Sequence, residues 1–259
     1  MAAVGVSAQN AKWNFPGLAQ VDQKPQAAGA GAPAPKRDLS GIWDAGFAGI
    51  SPRGQQAAPL TAWGEEVGKT HHSGDGIRMV PAEQINDPLS ILADPGGFPR
   101  QLLFELRPFQ IVQTPTYVAI TQEMIHETRI IPLDNRPRLP ERIGLWLGDS
   151  RGRWEGDTLV VETTNYHPLS AFNSYYCCRS AAAHLKITER FRRVDANTID
   201  YRFTVEDPST FTRPFTVDVP MQKTDGPIFE YACHEANYGL EGILRGARAD
   251  EKRAAGSTK

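Results

Sequence analysis

Apolar and polar residues alternate along most of the chain from about Phe104 to Glu235. Leu185, Ile187, Glu189 and Phe191 fall on one side of a predicted strand, and Lys186, Thr188, Arg190 and Arg192 on the other. Successive side chains of a strand point to opposite faces, so Glu189 is expected among hydrophobes. The same arithmetic groups Ile199, Tyr201, Phe203 and Val205, and then Phe229, Tyr231, Cys233 and Glu235. A carboxylate on an apolar face is costly unless it is paired or used. The pattern predicts a β-barrel with a few isolated polar groups inside.

Strands are predicted over residues 39–45, 109–113, 117–131, 158–164, 184–194, 198–206, 215–221 and 228–234. Their connections are short. Thr114-Pro115-Thr116 and Glu155-Gly156-Asp157 read as tight turns, and Asp195-Ala196-Asn197 as a hairpin loop. Residues 134–142 form a Pro/Arg-rich loop, and Thr224-Asp225-Gly226-Pro227 separates the last two strands. Asp207-Pro208-Ser209-Thr210 reads as ordinary turn chemistry. A short helix is expected over 61–69 and a C-terminal one over 240–254. No long amphipathic helices lie between strands, which argues against a parallel α/β sheet. The expected fold is a mainly β antiparallel barrel over 39–248 in one domain, after a flexible leader (1–38) and before a loose tail (249–259). Residues 70–100 are dense in Gly and Pro and are expected to form a lid-like loop.

Composition narrows the function classes. The formal net charge is −2 from 28 basic and 30 acidic residues, without a basic patch, so nucleic acid is not an expected partner. No apolar run approaches the roughly 18 residues of a membrane span. Val6-Ser7-Ala8 before Gln9 resembles the end of a signal peptide, which places the chain in the periplasm or outside the cell. Cys177 and Cys178 are adjacent and Cys233 is distant, so a disulfide from either of the pair to Cys233 and a free, buried Cys233 are both open. The oligomeric state is open.

Two sets of residues carry a resemblance. Gly41-Ile42-Trp43 resembles the Gly-x-Trp of lipocalin-like barrels. The run from Gly152 to Thr164, with Thr188-Glu189-Arg190-Phe191 and Asp134-Asn135-Arg136-Pro137, is similar to a large group of exported bacterial proteins of unassigned function. The resemblance covers about residues 39–248 and implies an exported lipocalin-like barrel. It implies no particular reaction. Such barrels generally hold small apolar molecules, and a minority catalyse hydration, cyclisation or isomerisation.

Candidate chemistry follows from strand parity. On the predicted strand 117–131, Val118, Ile120, Gln122, Met124, His126, Thr128 and Ile130 share the more apolar face, which brings His126 inward. A β-bulge would reverse the phase and turn Arg129 inward instead. His126 opposite Glu189 would make an acid–base pair, because a nearby carboxylate fixes a histidine's tautomer and raises its pKa. The alternative for Glu189 is a buried salt bridge to an arginine that plugs the barrel. Tyr201 and Tyr231 would hold a substrate oxygen. Gln122, Met124, Phe191, Phe203 and Arg129 are the expected substrate contacts. No metal motif is matched, because His-x-His and His-Glu-x-x-His are absent, and no cofactor is expected. Gly-x-Ser-x-Gly and nucleotide-binding motifs are absent too. The leading expectation is a cofactor-independent isomerase, lyase or hydratase acting on a small apolar or aromatic molecule. A non-catalytic carrier with the same pocket is the alternative, and a plugged structural barrel the third class.

Overall fold

The structure is a computed structural model that describes residues 37–44, 60–70, 72, 81, 84, 86, 108–123, 126–168, 184–232 and 238–256. Most of the expected lid, the leader before residue 37, Met124 and all three cysteines lie outside the described residues.

The described chain is an antiparallel, nearly closed barrel. Its strands are β1 (Gly41–Asp44), β2 (Phe109–Gln113), β3 (Tyr117–Gln122), β4 (Thr128–Pro132), β5 (Asp149–Glu155), β6 (Thr158–Thr164), β7 (Lys186–Arg193), β8 (Thr198–Glu206), β9 (Phe215–Asp218) and β10 (Met221–Lys223). Among the described residues two helices accompany them: α1 (Ala62–Thr70) and the C-terminal α2 (Tyr238–Gly256), whose described side chains are all exposed. The sheet order is β4-β3-β2-β1-β10-β8-β7-β6-β5, with β9 also on β8. Phe215 opposite Val205 and Met221 opposite Ile199 keep one register along β8. β9 and β10 are therefore one strand line, interrupted where Pro220 has no N–H to give.

That leaves nine strand positions, and the odd number has a consequence. Directions alternate along an antiparallel sheet, so the two edge strands, β4 and β5, run the same way. They cannot be joined by a tight turn. Parallel neighbours need a crossover of a dozen or more residues, and residues 133–148 provide it. No ladder is formed between β4 and β5. They meet through side chains instead. A Cβ on Gly152 would lie 2.6 Å from a methyl of Leu133 and 2.9 Å from a methyl of Ile131, so the missing side chain is what lets β4 close on β5.

The crossover is fastened to the outside of β5 and β6 by guanidinium groups. Arg138 donates to the Asp149 carbonyl (2.9 Å), and Arg151 to the carbonyls of Arg136 (3.1 Å) and Pro137 (2.6 Å). The Asn165 amide donates to the carbonyls of Leu139 and Pro140. Pro137 and Pro140 have no N–H to give, which breaks any ladder this segment could form there.

One end of the barrel is sealed around Trp43. This ring is fully buried and donates its Nε1–H to the Leu39 carbonyl at 2.9 Å. Gly41 has φ +143°, and a Cβ there would meet the indole at 3.3 Å, so glycine is required two residues before the tryptophan. Arg193 lies over the indole, 5.2 Å from its centre, and donates to the carbonyls of Asp38, Asp195 and Ala196. At the opposite end, Thr61 caps α1 by accepting from the Gly64 N–H, and its own N–H donates to the Thr210 carbonyl. Asp207 binds the Ser209 N–H and the hydroxyls of Ser209 and Thr210, which is turn chemistry.

Two expected strands need correction. Residues 117–131 are not one strand. β3 ends at Gln122 and β4 begins at Thr128, and the two pair as a hairpin with Thr121 opposite Thr128. Residues 228–232 form no strand. They run past the β3–β4 turn, where the Phe229 N–H donates to the Glu123 carboxylate and the Tyr231 N–H to His126 Nε2. A strand over Asp149–Glu155, unexpected from the sequence, completes the barrel.

The seam makes a sharp prediction. Gly152→Ala should lower stability by about 1–3 kcal/mol through overpacking. Gly68→Ala, on α1 with open space around it, should instead gain about 0.5–1 kcal/mol. Thermal and urea unfolding of the two variants checks both; equal stabilities would mean that β4 and β5 do not meet at Gly152.

Candidate functional site

The interior is mostly hydrocarbon. Trp43, Phe109, Ile111, Val118, Leu159, Val161, Ile187, Phe191, Ile199, Phe203 and Met221 are buried in one cluster. Within it lies a small set of polar side chains. Glu189 is in the middle of β7, in register with Val161 on one side and Phe203 on the other. Its alternation with Ile187 and Phe191 points it inward, and it is 0% exposed.

Its partner is Arg129. The two nitrogens of the guanidinium approach the two carboxylate oxygens, Nη2 to Oε1 at 2.9 Å and Nη1 to Oε2 at 2.9 Å. The Tyr201 hydroxyl donates to Oε1 at 2.9 Å. Burial by itself would lower the Arg129 pKa, but the charge and hydrogen bond of Glu189 outweigh this and hold it above the usual range. The Tyr201 phenol is pushed well up, first by burial and then by the neighbouring Glu189 charge. The arrangement is an ion pair with one phenol attached, locked into an apolar interior.

Tyr166 completes the set. It follows β6 and is buried, and its backbone is held to Leu145 by a parallel bridge. Its phenol is raised by burial, while Arg129 pulls the other way and Glu189 adds to the rise. The side-chain partner of this hydroxyl is Thr163; that contact departs from ordinary hydrogen-bond geometry, as does the contact of Glu189 Oε2 with Arg129. Ser150 and Thr163, on the same inner face, hydrogen-bond one another at 2.9 Å.

Several expected site residues are brought together. Glu189, Tyr201, Phe191, Phe203 and Arg129 are all buried, and the rings of Phe191 and Tyr201 pack 4.6 Å apart. Gln122 is buried at the end of β3. His126 is not part of this group. It sits exposed on the β3–β4 turn with φ +54°, and it accepts from Tyr231 N–H rather than facing Glu189. The cause is the turn: it exchanges the inward parity of even positions in β3 for odd positions in β4, so Arg129 and Ile131 go in. Tyr231 is half-buried outside the barrel, 6.4 Å edge-on from the His126 ring, and does not join Tyr201. Tyr166 was missed by parity because it lies beyond its strand. Its one sequence signal is the Asn165 before it, whose positive φ re-aims the chain.

Among the described residues, no three His, Cys, Asp or Glu side chains gather in a metal-holding group, and no helix is long and apolar enough to cross a membrane. No family model matches the chain, and no curated protein or solved structure is significantly similar to it.

Two predictions follow from the buried pair. Glu189→Gln leaves a buried guanidinium uncompensated and should cost about 3–5 kcal/mol, whereas replacing both partners by Arg129→Met and Glu189→Leu should be near neutral or stabilising. Melting temperatures of the single and double variants decide; an unaffected Glu189→Gln protein would show the pair to be unimportant. Alkaline titration gives the second. Tyr166 and Tyr201 have raised folded-state pKa values, so their contribution to stability is complete below the ordinary phenol value of about 10 and is lost as pH rises above it. Absorbance at about 295 nm should therefore show at least two of the seven tyrosines ionising only when the fold is lost.

Proposed function

We propose that the chain is an exported, lipocalin-like carrier that holds a small, mostly apolar molecule without transforming it. The observation that supports this reading is the state of Glu189. A general base needs an oxygen within reach of the proton it takes. Arg129 lies 2.9 Å from each Glu189 oxygen, and the oxygen that it hydrogen-bonds, Oε1, also accepts from Tyr201. The histidine that would have partnered it stands outside the barrel. The polar groups of the interior thus suit holding an oxygen atom better than moving a proton. A barrel of eight or so strands is of the size that encloses one small ligand, which fits a carrier.

The acid–base enzyme is the competing reading, and one experiment separates the two. Protein purified from the periplasm should carry a small noncovalent mass in native mass spectrometry. The extracted molecule should rebind and be recovered chemically unchanged after long incubation. Recovery as a different compound would establish turnover and overturn the carrier reading. Protein that arrives empty and rebinds nothing extracted from its host would also overturn it, in favour of a plugged structural barrel.

A further inference from the structure

We infer that residues 228–232 are a pH-sensitive strap: neutral His126 fastens them to the β3–β4 connection, and a proton on its ring unfastens them. The inference is independent of the carrier reading.

The strap is lightly held. It lies between β10 and α2 and forms no strand. None of its side chains is buried: Phe229, Glu230 and Ala232 are exposed, and Ile228 and Tyr231 half-buried. Apolar burial therefore contributes little to its attachment. Two of its backbone N–H groups are given to titratable side chains of the connection. Phe229 N–H donates to the Glu123 carboxylate at 2.9 Å, and Tyr231 N–H to His126 Nε2. The Tyr231 ring stands edge-on to the imidazole, 6.4 Å away. His126 is set in place by its own backbone, with φ +54° and its N–H directed to the Glu123 carbonyl at 3.4 Å. Histidine enters this left-handed region more readily than most residues.

The bond to Tyr231 fixes the protonation of the ring. A backbone N–H can only donate, so Nε2 must offer its lone pair, and the single ring proton sits on Nδ1. A second proton can go only to Nε2. It would set one N–H against another, so the protonated ring and the Tyr231 bond exclude each other. The Glu123 bond differs, because a carboxyl group keeps an acceptor oxygen in either protonation state. Of these two fastenings, a proton breaks one. Histidine side chains take that proton in the range of about pH 5–8.

The neighbouring charges favour release. On the connection the charged groups beside His126 are Glu123 and Glu127, and on the strap Glu230, with Tyr231 its other titratable group. Pro108, whose carbonyl accepts from the Glu123 N–H, adds no charge. Arg129, the first cation of β4, is turned inward onto Glu189. An imidazolium among these carboxylates gains attraction in place of the N–H it gives up. The described side chains of α2 are all exposed and give the strap no second anchor. Unfastening residues 228–232 therefore uncovers the β3–β4 connection and lengthens the tether between the barrel and α2.

Solution NMR of the full chain and of His126→Asn, at about pH 8 and about pH 5, tests the device. Asparagine also accepts the left-handed backbone but takes no proton. In wild type at the higher pH, the ring-nitrogen shifts of His126 should report the proton on Nδ1, and the Tyr231 amide should be protected from solvent exchange. At the lower pH that protection, corrected for the intrinsic pH dependence of exchange, should fall about 3–10-fold, as expected for loss of one net hydrogen bond, while that of Phe229 changes by less than about twofold. In His126→Asn the Tyr231 protection should be the same at both pH values. A proton on Nε2 at the higher pH, equal Tyr231 protection at both pH values in wild type, or an undiminished pH dependence in His126→Asn would each overturn the inference. Loss of protection throughout β2–β4 at the lower pH would assign the effect to unfolding of the barrel and overturn it as well.

Discussion

The fold turns on an ion pair that crosses its weakest boundary. β4 is one edge of the sheet, and β5 and β6 separate it from β7 around the barrel. No hydrogen-bond ladder joins β4 to β5, so nothing in the backbone closes the cylinder. Arg129 on β4 and Glu189 on β7 bridge that gap from inside with two contacts of 2.9 Å. A buried ion pair is weak evidence for stability in general, since desolvation offsets much of its attraction. Here its value is positional. It fixes how an edge strand sits against a strand three places away, and apolar packing alone would leave that alignment less defined. Gly152 works with it, by admitting Ile131 and Leu133 into the seam.

The two ends of the barrel are built differently. Around Trp43 the indole N–H meets the Leu39 carbonyl, and Arg193 satisfies three carbonyls while covering the ring. That end is a stopper. The opposite end collects Tyr166, Ser150, Thr163 and the nearer side of the Arg129–Glu189 pair, polar side chains that contact one another inside the barrel.

Much of this was legible in the sequence. β7 and β8 alternate without interruption, so Leu185, Ile187, Glu189, Phe191, Tyr201 and Phe203 were placed inward by parity alone, and all are buried. The hairpin at Asp195-Ala196-Asn197 and the turn at Asp207 were readable from their own side-chain chemistry. β5 was obscured because its inward positions are Ser150, Gly152 and Trp154, a series with little apolar contrast to the arginines between them. Residues 228–232 show the opposite failure. Phe229 and Tyr231 alternate like a strand, yet Phe229 is 54% exposed, because the segment runs past the β3–β4 connection and meets it through single side-chain contacts rather than along a strand. Alternation records a preference for two faces, and a sheet edge must still be available.

The candidate site hinged on a single local decision. Over residues 117–131 the alternation runs unbroken through Gln122, Met124 and His126, and a continuous strand would carry His126 to the interior. The hairpin changes the parity by one residue, and a one-residue slip moves every following side chain to the other face. Ile130 is then 52% exposed, while Arg129 and Ile131 are buried. The exchange alters the chemistry as much as the geometry. A histidine opposite Glu189 would have left a titratable pair near neutral pH, suited to proton transfer. An arginine there remains charged at any pH the fold survives and faces the carboxylate side-on, with one hydrogen bond and a second close ion contact. The hairpin between β3 and β4 thus decides whether a histidine or an arginine faces Glu189.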